Sequence, residues 1–345
     1  MQSKSKFILS KSKVIEQYKK IKSLCEFVSY SSKTNPLISK VLEENTDSMF
    51  SLHMVNELKN IKDKSRIIFL AQAWDEELIQ GLLEHKIRWF VVDNESDLNI
   101  LIQFLNGNIY EIFGQINLLL RIKLKENTLR TEKYFVFGMN SETVNKKLRE
   151  LRNNKNIDKL GIHFHRKTQN ISEWDYTSEM KNILEKNVKI DLVCIGGGLP
   201  SEYANTNVDV IDIIFNKIKK FKELLGEIKL IIEPGRFIAA SAVKLETEII
   251  GIYEKNIIVD ASVYNTDMDA LIVPVKLLVE GELSKEEGDP YVIKGITPCS
   301  MDLFRYRVYL ENPKIGNKLT FLNAGAYNFT TDFCDLEKIK TEIID

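Results

Sequence analysis

Between residues 26 and about 235, short runs of Val, Ile, Leu and Phe alternate with stretches in which apolar positions recur at helical spacing. The runs are Glu26–Ser32, Ser48–Leu52, Arg66–Leu70, Ile87–Asp93, Gln115–Leu124, Lys159–His165, Lys189–Ile195 and Lys229–Glu233. Most alternate little between apolar and polar, the pattern of parallel strands covered on both faces. Helical spacing predicts helices over Pro36–Asn45, Val55–Asn60, Asp75–Glu84, Glu95–Leu105, Glu142–Arg152, Glu173–Glu185 and Val208–Leu225. Asn94 before Glu95, and Ser141 before Glu142, supply polar N-caps and acidic first turns. Eight strands interleaved with helices is the number that closes a parallel barrel.

The pattern changes after Arg236. Short alternating runs follow at Val243–Tyr253, Asn256–Val263, Ala270–Glu280, Pro290–Lys294, Arg305–Tyr309 and Lys318–Phe321, punctuated by Gly281, Gly288 and Gly316. This predicts an all-β second domain. Ser5–Leu9 fits a strand of that domain and Lys13–Cys25 a linking helix. The expected fold class is α/β: a TIM (β/α)8 barrel followed by an all-β C-terminal domain. Its divisions are an N-terminal segment at 1–25 packing with the β domain, a barrel at 26–240 and a β domain at 241–345.

Composition narrows the function classes. The 345 residues carry 48 Lys+Arg against 49 Asp+Glu, a net charge of −1, which leaves no electrostatic footprint for nucleic acid or an anionic membrane. No run is long and apolar enough to span a bilayer, and no signal-peptide core is visible. Cys25, Cys194, Cys299 and Cys334 are scattered, so neither a disulfide framework nor a metal cluster is expected. A cytoplasmic globular protein is the expectation.

In such a barrel the working face lies at the carboxyl ends of the strands. Lys33 follows the first strand, His165 ends the sixth, Gly196-Gly197-Gly198 ends the seventh, and Glu233-Pro234-Gly235-Arg236 ends the eighth. The most polar or unusual insertions thus fall on one rim. Three consecutive glycines leave backbone N–H groups uncovered, a nest for phosphate or else a tight βα turn. Arg236 favours phosphate, because a guanidinium pairs with it bidentately. A partly buried lysine loses proton affinity and can form a Schiff base with an aldehyde; a solvated one is an ordinary loop charge. In the β domain, Cys299 and Asp302 share one loop, and Ala324-Gly325-Ala326-Tyr327 follows a strand.

These residues resemble the fold-type III pyridoxal-phosphate decarboxylases, the ornithine/diaminopimelate/arginine decarboxylase family. The lysine motif matches at Tyr30–Asn35 and the histidine strand at Ile162–His165. The glycine loop matches at 196–198, Glu-Pro-Gly-Arg at 233–236, the Cys loop ending at Asp302, and Gly-Ala-Tyr at 325–327. The resemblance implies pyridoxal 5'-phosphate held covalently by Lys33, stacked on by His165 and paired at its ring nitrogen by Glu233. It implies a phosphate site of Gly197, Gly198, Gly235, Arg236 and Tyr327, with Thr168 replacing a serine and Arg121 near Lys33. Cys299 would return a proton after loss of carbon dioxide. Asp302 and Arg305 are candidate substrate contacts, Arg305 for a distal carboxylate. A head-to-tail homodimer with shared active sites is also implied.

Departures bear on the substrate. Arg166-Lys167-Thr168 replaces a Gly-Ser segment, Cys299 stands three rather than four residues before its Asp, and Phe50 or Ser51 occupies an acidic position. Val273 falls where the family reads ornithine's distal amine with an aspartate. The expected reaction is therefore decarboxylation of an amino acid, or of an amino-acid moiety in a larger intermediate, other than ornithine. The alternatives are a racemase of the same fold, against which Glu233 argues, and a non-catalytic pyridoxal-phosphate-binding protein.

Overall fold

The computed structural model describes residues 4–107, 109–124, 137–171, 173–206 and 208–345, so residues 1–3 of the expected N-terminal segment lie outside it. The chain opens with β1 (Lys6–Ser10) and α1 (Lys11–Lys22). Eight strands then close a parallel barrel: β2 (Phe27–Ser31), β3 (Met49–Leu52), β4 (Ile67–Leu70), β5 (Trp89–Val92), β6 (Ile116–Arg121), β7 (Ile157–His163), β8 (Leu192–Cys194) and β9 (Lys229–Ile232). Closure comes from β2 against β9, with Phe27 opposite Ile231 and Val28 opposite Ile232. Met49, Ile68, Val91, Leu119, Leu192, Cys194 and Ile231 come from six different strands and pack as one buried cluster. Burying each large aliphatic side chain contributes about 1.5–3 kcal/mol.

The helices outside the strands are α2 (Pro36–Asn45), α3 (Glu76–Glu84), α4 (Glu95–Leu105), α5 (Ile109–Phe113), α6 (Ser141–Leu151), α7 (Tyr176–Ile183) and α8 (Ile211–Leu225). Their starts are written locally. Asn35 accepts the N–H of Leu37 with Pro36 at the first helical position, and Asp75 and Asn94 accept from Leu78 and Asp97. Val55–Asn60 is a 3₁₀ segment rather than an α-helix. The expected helix from Glu173 begins only at Tyr176, where Asp175 caps it through the N–H of Ser178.

After α9 (Arg236–Ala239) the chain turns to β10 (Val243–Tyr253), β11 (Asn256–Val259), α10 (Val263–Thr266), α11 (Met268–Ile272) and β12 (Leu278–Val279). It continues with β13 (Asp289–Lys294), β14 (Leu303–Leu310), β15 (Lys318–Leu322) and β16 (Lys340–Ile344). The sheet runs β12-β15-β10-β11-β13-β14, with β1 antiparallel to β10 and parallel to β16. The run Ala270–Glu280, expected as a strand, begins inside α11 and is strand only at Leu278–Val279. A short apolar run carries no period of its own, and the buried carboxylate of Asp269 ties this turn to Arg236.

By backbone contacts the chain forms two units. One, the barrel unit, comprises residues 18–199 and 210–234; the other, the β unit, comprises 1–17, 200–209 and 235–345. Among the described residues no helix is long and apolar enough to cross a membrane.

Candidate active site

The barrel unit gathers most of the predicted residues at the carboxyl ends of its strands. Lys33 sits in a 3₁₀ turn directly after β2. The turn is fixed from both sides: the Tyr30 hydroxyl donates to the Asn35 carbonyl (3.1 Å), and Ser39 donates to Ser32 (3.0 Å). Its side chain stays accessible while its neighbours are buried. His163, not His165, ends β7, and His165 lies two residues beyond.

The glycine triplet packs against both the histidine and the glutamate. A Cβ on Gly196 would stand 2.7 Å from His165 Nδ1, one on Gly197 2.6 Å from the Glu233 carbonyl, and one on Gly198 2.9 Å from the Lys167 carbonyl. Gly196 and Gly198 also lie at φ +63° and +91°, where side chains are strained. The nest of unoccupied N–H groups needs correction at one position. The N–H of Gly197 donates to His165 Nδ1 (3.1 Å), which fixes that ring nitrogen as an unprotonated acceptor.

Glu233 is the most heavily held group. Ser51 Oγ donates to Oε1 (2.7 Å), and His163 Nε2 meets Oε2 (2.9 Å). Its backbone N–H donates to the Gly196 carbonyl (2.8 Å), and Ser31 Oγ donates to its carbonyl (3.2 Å). Arg121, at the end of β6, pairs with Asp93 (3.4 Å) and lies over the Phe137 ring at 4.8 Å. Thr168 is half-buried in the segment that Asn170 ties to the Gly198 carbonyl (2.9 Å). Arg166 is buried against the Tyr176 ring and pairs with Glu173 and Glu179, so it braces this segment from behind.

These neighbours set the charges. Desolvation lowers the pKa of Lys33, opposed by Glu233 and Glu57 and assisted by Arg121. Burial by itself pushes the Glu233 carboxyl up, but the electrostatic attraction and hydrogen bond of His163, the Ser51 hydroxyl and His165 outweigh it, and the net shift is down. Burial also lowers His53, just past β3, to about 4, with Lys33 adding to the effect. Burial and Glu233 raise Cys194 well above an ordinary thiol.

The roles of four participants escape a reading of the sequence: Ser51, His53, His163 and Cys194. One donor atom each from His163, Cys194 and Glu233 lies within 4.8 Å of the others, although the residues are 31 and 39 positions apart along the chain. The available signal was His163 itself, which stands two residues before His165.

The β unit holds the remaining predicted residues. Gly235 precedes α9, and Arg236 at its start is buried. The guanidinium pairs with Asp269, donates to the Tyr203 hydroxyl (3.2 Å) and lies 5.3 Å from the Tyr327 ring centre. An anion at Arg236 would thus be an added partner, not its first. Tyr327 sits at φ +52°, held in a left-handed turn.

Cys299 Sγ lies 3.3 Å from the Tyr264 hydroxyl, whose ring stacks on Phe333 at 4.0 Å. That hydroxyl, followed by the N–H of Met301, lowers the thiol's pKa.

Two expected substrate contacts are committed elsewhere. Asp302 is buried and accepts from the N–H of Val263 (2.9 Å), the N–H of Thr297 (3.0 Å) and the Thr297 hydroxyl (2.6 Å). It is a loop staple. Arg305 is buried, paired with both Glu282 oxygens (3.1 and 2.9 Å), and donates to the carbonyls of Leu277 and Arg307. Its charge is already balanced, which leaves it unsuited to a distal carboxylate.

The chain matches the family described as "Pyridoxal-dependent decarboxylase, pyridoxal binding domain" over residues 11–240. It is 25% identical over 301 residues to the diaminopimelate decarboxylase of Methanocaldococcus jannaschii, covering 80% of this chain and 67% of that protein. Its identity to the diaminopimelate decarboxylase of Aquifex aeolicus is 24% over 298 residues, covering 76% of this chain and 66% of that protein.

Among solved structures it superimposes on diaminopimelate decarboxylase from Helicobacter pylori complexed with L-lysine. The TM-score is 0.81 at 17% identity, covering 100% of this chain and 92% of that one. Lysine/ornithine decarboxylase from Vibrio vulnificus complexed with cadaverine gives 0.80 at 20%, covering 99% and 94%. Both likenesses establish the fold.

Proposed function

This chain belongs to the pyridoxal-dependent decarboxylase family, and we propose that its barrel unit carries the coenzyme on Lys33 while its Cys299 loop serves as proton donor. The reaction is pyridoxal-phosphate-dependent decarboxylation of an amino acid. The observation that carries the assignment of roles is Glu233, a buried carboxylate held ionised by two donors at the mouth that Lys33 enters.

The residues fit the coenzyme. Lys33 offers an accessible amine of lowered proton affinity, the form that adds to an aldehyde. Glu233 offers a charge to keep a pyridine nitrogen protonated, and His165 a ring face to stack on it. Gly197 and Gly198, at positions where no side chain fits, let a phosphate approach the backbone; Thr168 directly follows Lys167, whose carbonyl faces Gly198, and the charge of Arg121 is felt at Lys33. Pyridoxal phosphate, when bound, supplies the electron sink for the pair left by departing carbon dioxide. The protein's part is to orient the scissile bond and exclude water.

The proton donor is Cys299, its thiol tuned by Tyr264. We assign it to the site of a second copy in a head-to-tail homodimer. Met301 and Tyr306, beside that loop, are 59% and 72% exposed in the single chain, large apolar surface for a partner to cover. The substrate we propose is an amino acid other than ornithine, because Val273 offers no charge to a distal amine. Four free cysteines fit a cytoplasmic setting.

Carbon dioxide release from basic, acidic and diamino-dicarboxylic amino acids, with coenzyme-loaded protein, tests the reading. Lys33→Ala should abolish both release and the visible absorbance of the lysine-bound coenzyme while the circular dichroism stays that of wild type. A retained visible band refutes the Lys33 assignment; a D-amino acid as sole product refutes decarboxylation.

A further inference from the structure

We infer that His163 and Ser51 are positioning residues that hold Glu233 charged and aimed, and so set the proton state of the coenzyme's pyridine nitrogen. The inference rests on reading Glu233 as that nitrogen's partner.

Four buried side chains, three from β2, β3 and β7 and one directly after β9, form one hydrogen-bonded row. Ser29 Oγ lies 2.7 Å from Ser51 Oγ, Ser51 Oγ 2.7 Å from Glu233 Oε1, and Glu233 Oε2 2.9 Å from His163 Nε2. Their exposures are 0%, 3%, 8% and 1%. An ionised carboxylate only accepts, so the single Ser51 proton goes to Glu233 and the Ser29 proton to Ser51.

The histidine obeys the same rule. Its Nδ1 is buried and has no hydrogen-bond partner among the described residues. With the proton on Nε2, the ring donates to Glu233 and leaves only a lone pair unmet. The other neutral tautomer would oppose two acceptors at 2.9 Å and bury an N–H without an acceptor. Every proton in the row therefore points at Glu233.

Both carboxylate oxygens are gripped from opposite sides, and each keeps lone pairs for an incoming N–H. Without these donors a desolvated carboxyl favours its neutral form. A neutral acid would donate to a pyridine nitrogen rather than stabilise its protonated state, and the electron sink would weaken. The family resemblance expects an acidic residue at Phe50 or Ser51, and here the side chain that reaches Glu233 is the Ser51 hydroxyl. A second carboxylate there would repel Glu233; a hydroxyl donates to it.

The test compares wild type, His163→Phe, His163→Gln, Ser51→Ala and Glu233→Gln as holoenzymes, each loaded with coenzyme labelled by ¹⁵N in the pyridine ring. The readouts are the nitrogen chemical shift and kcat/KM against pH. Wild type should give a protonated nitrogen. His163→Phe should move the shift toward the unprotonated limit and lower kcat/KM about 10–100-fold, the scale lost when an outer partner of a working group is removed. His163→Gln, which restores one N–H donor, should recover much of both. Ser51→Ala should shift in the same direction by less.

A wild-type nitrogen shift in both His163→Phe and Ser51→Ala overturns the inference. If His163→Phe does not fold, a wild-type shift and pH profile in Ser51→Ala does so alone. A protonated nitrogen in Glu233→Gln instead sinks the assignment of Glu233, a separate failure.

Discussion

Asp302→Ala separates a structural role from a substrate-binding one at a residue whose position suggests either. The carboxylate accepts three hydrogen bonds and is 2% exposed. Removing it strands the N–H of Val263, whose residue is fully buried, at a cost of about 1–3 kcal/mol. Thr297 is half-buried, so water can reach its N–H and hydroxyl, and these add less. A total of about 3 kcal/mol follows, since hydrogen bonds to a charged acceptor are worth roughly 1.5–3 kcal/mol each. At about 2–4 °C per kcal/mol in domains of 150–250 residues, the melting temperature should fall by roughly 6–12 °C.

The loop also loses its hold on the thiol, because the carboxylate ties Thr297, two residues before Cys299, to the N–H of Val263. The variant should therefore lose kcat at nearly constant KM. Calorimetry and steady-state kinetics decide the matter. A variant that melts within about 1 °C of wild type and is impaired only in KM would refute the staple and restore Asp302 as a substrate contact.

Three more outcomes follow from the same geometry. Cys299 should be alkylated by iodoacetamide with a midpoint below the ordinary thiol value of 9.0, and Tyr264→Phe should raise that midpoint by removing the donor hydroxyl. His53 titrates at about 4 folded against 6.5 unfolded, so the unfolded chain binds its proton first as pH falls. Its contribution is intact above pH 6.5 and lost down to about 4, and urea midpoints in that window should fall less steeply in His53→Gln. Finally, Lys33→Ala and Cys299→Ala proteins, refolded together in equal amounts, should regain about a quarter of wild-type activity if sites are shared between copies. No recovery in a confirmed heterodimer refutes the shared site.

The barrel was legible because parallel strands buried on both faces must be apolar along their length, and Ile67–Leu70 or Trp89–Val92 can hardly be read otherwise. Where a strand does not need that, the signal fades. Lys340–Ile344 is mostly exposed and pairs with β1 from the other end of the sequence, so no local pattern marks it. The rim residues Lys33, Gly196–Gly198 and Glu233 were legible because each is unusual beside an apolar strand. Ser51 was not, since a serine within Met49–Leu52 looks like filler until its proton is seen on Glu233. Arg305 misled for the opposite reason: a lone charge in a β run advertises function, but its partner Glu282 is 23 residues away in sequence and only folding joins them.

The three consecutive glycines press on three different neighbours: a ring nitrogen, the carbonyl of Glu233 and the carbonyl of Lys167. Single alanines at 196, 197 and 198 would therefore act as a caliper, each spreading the rim along its own direction by one methyl group. Read by crystallography or by the colour of the bound coenzyme, such a set measures how much slack each wall of the mouth possesses.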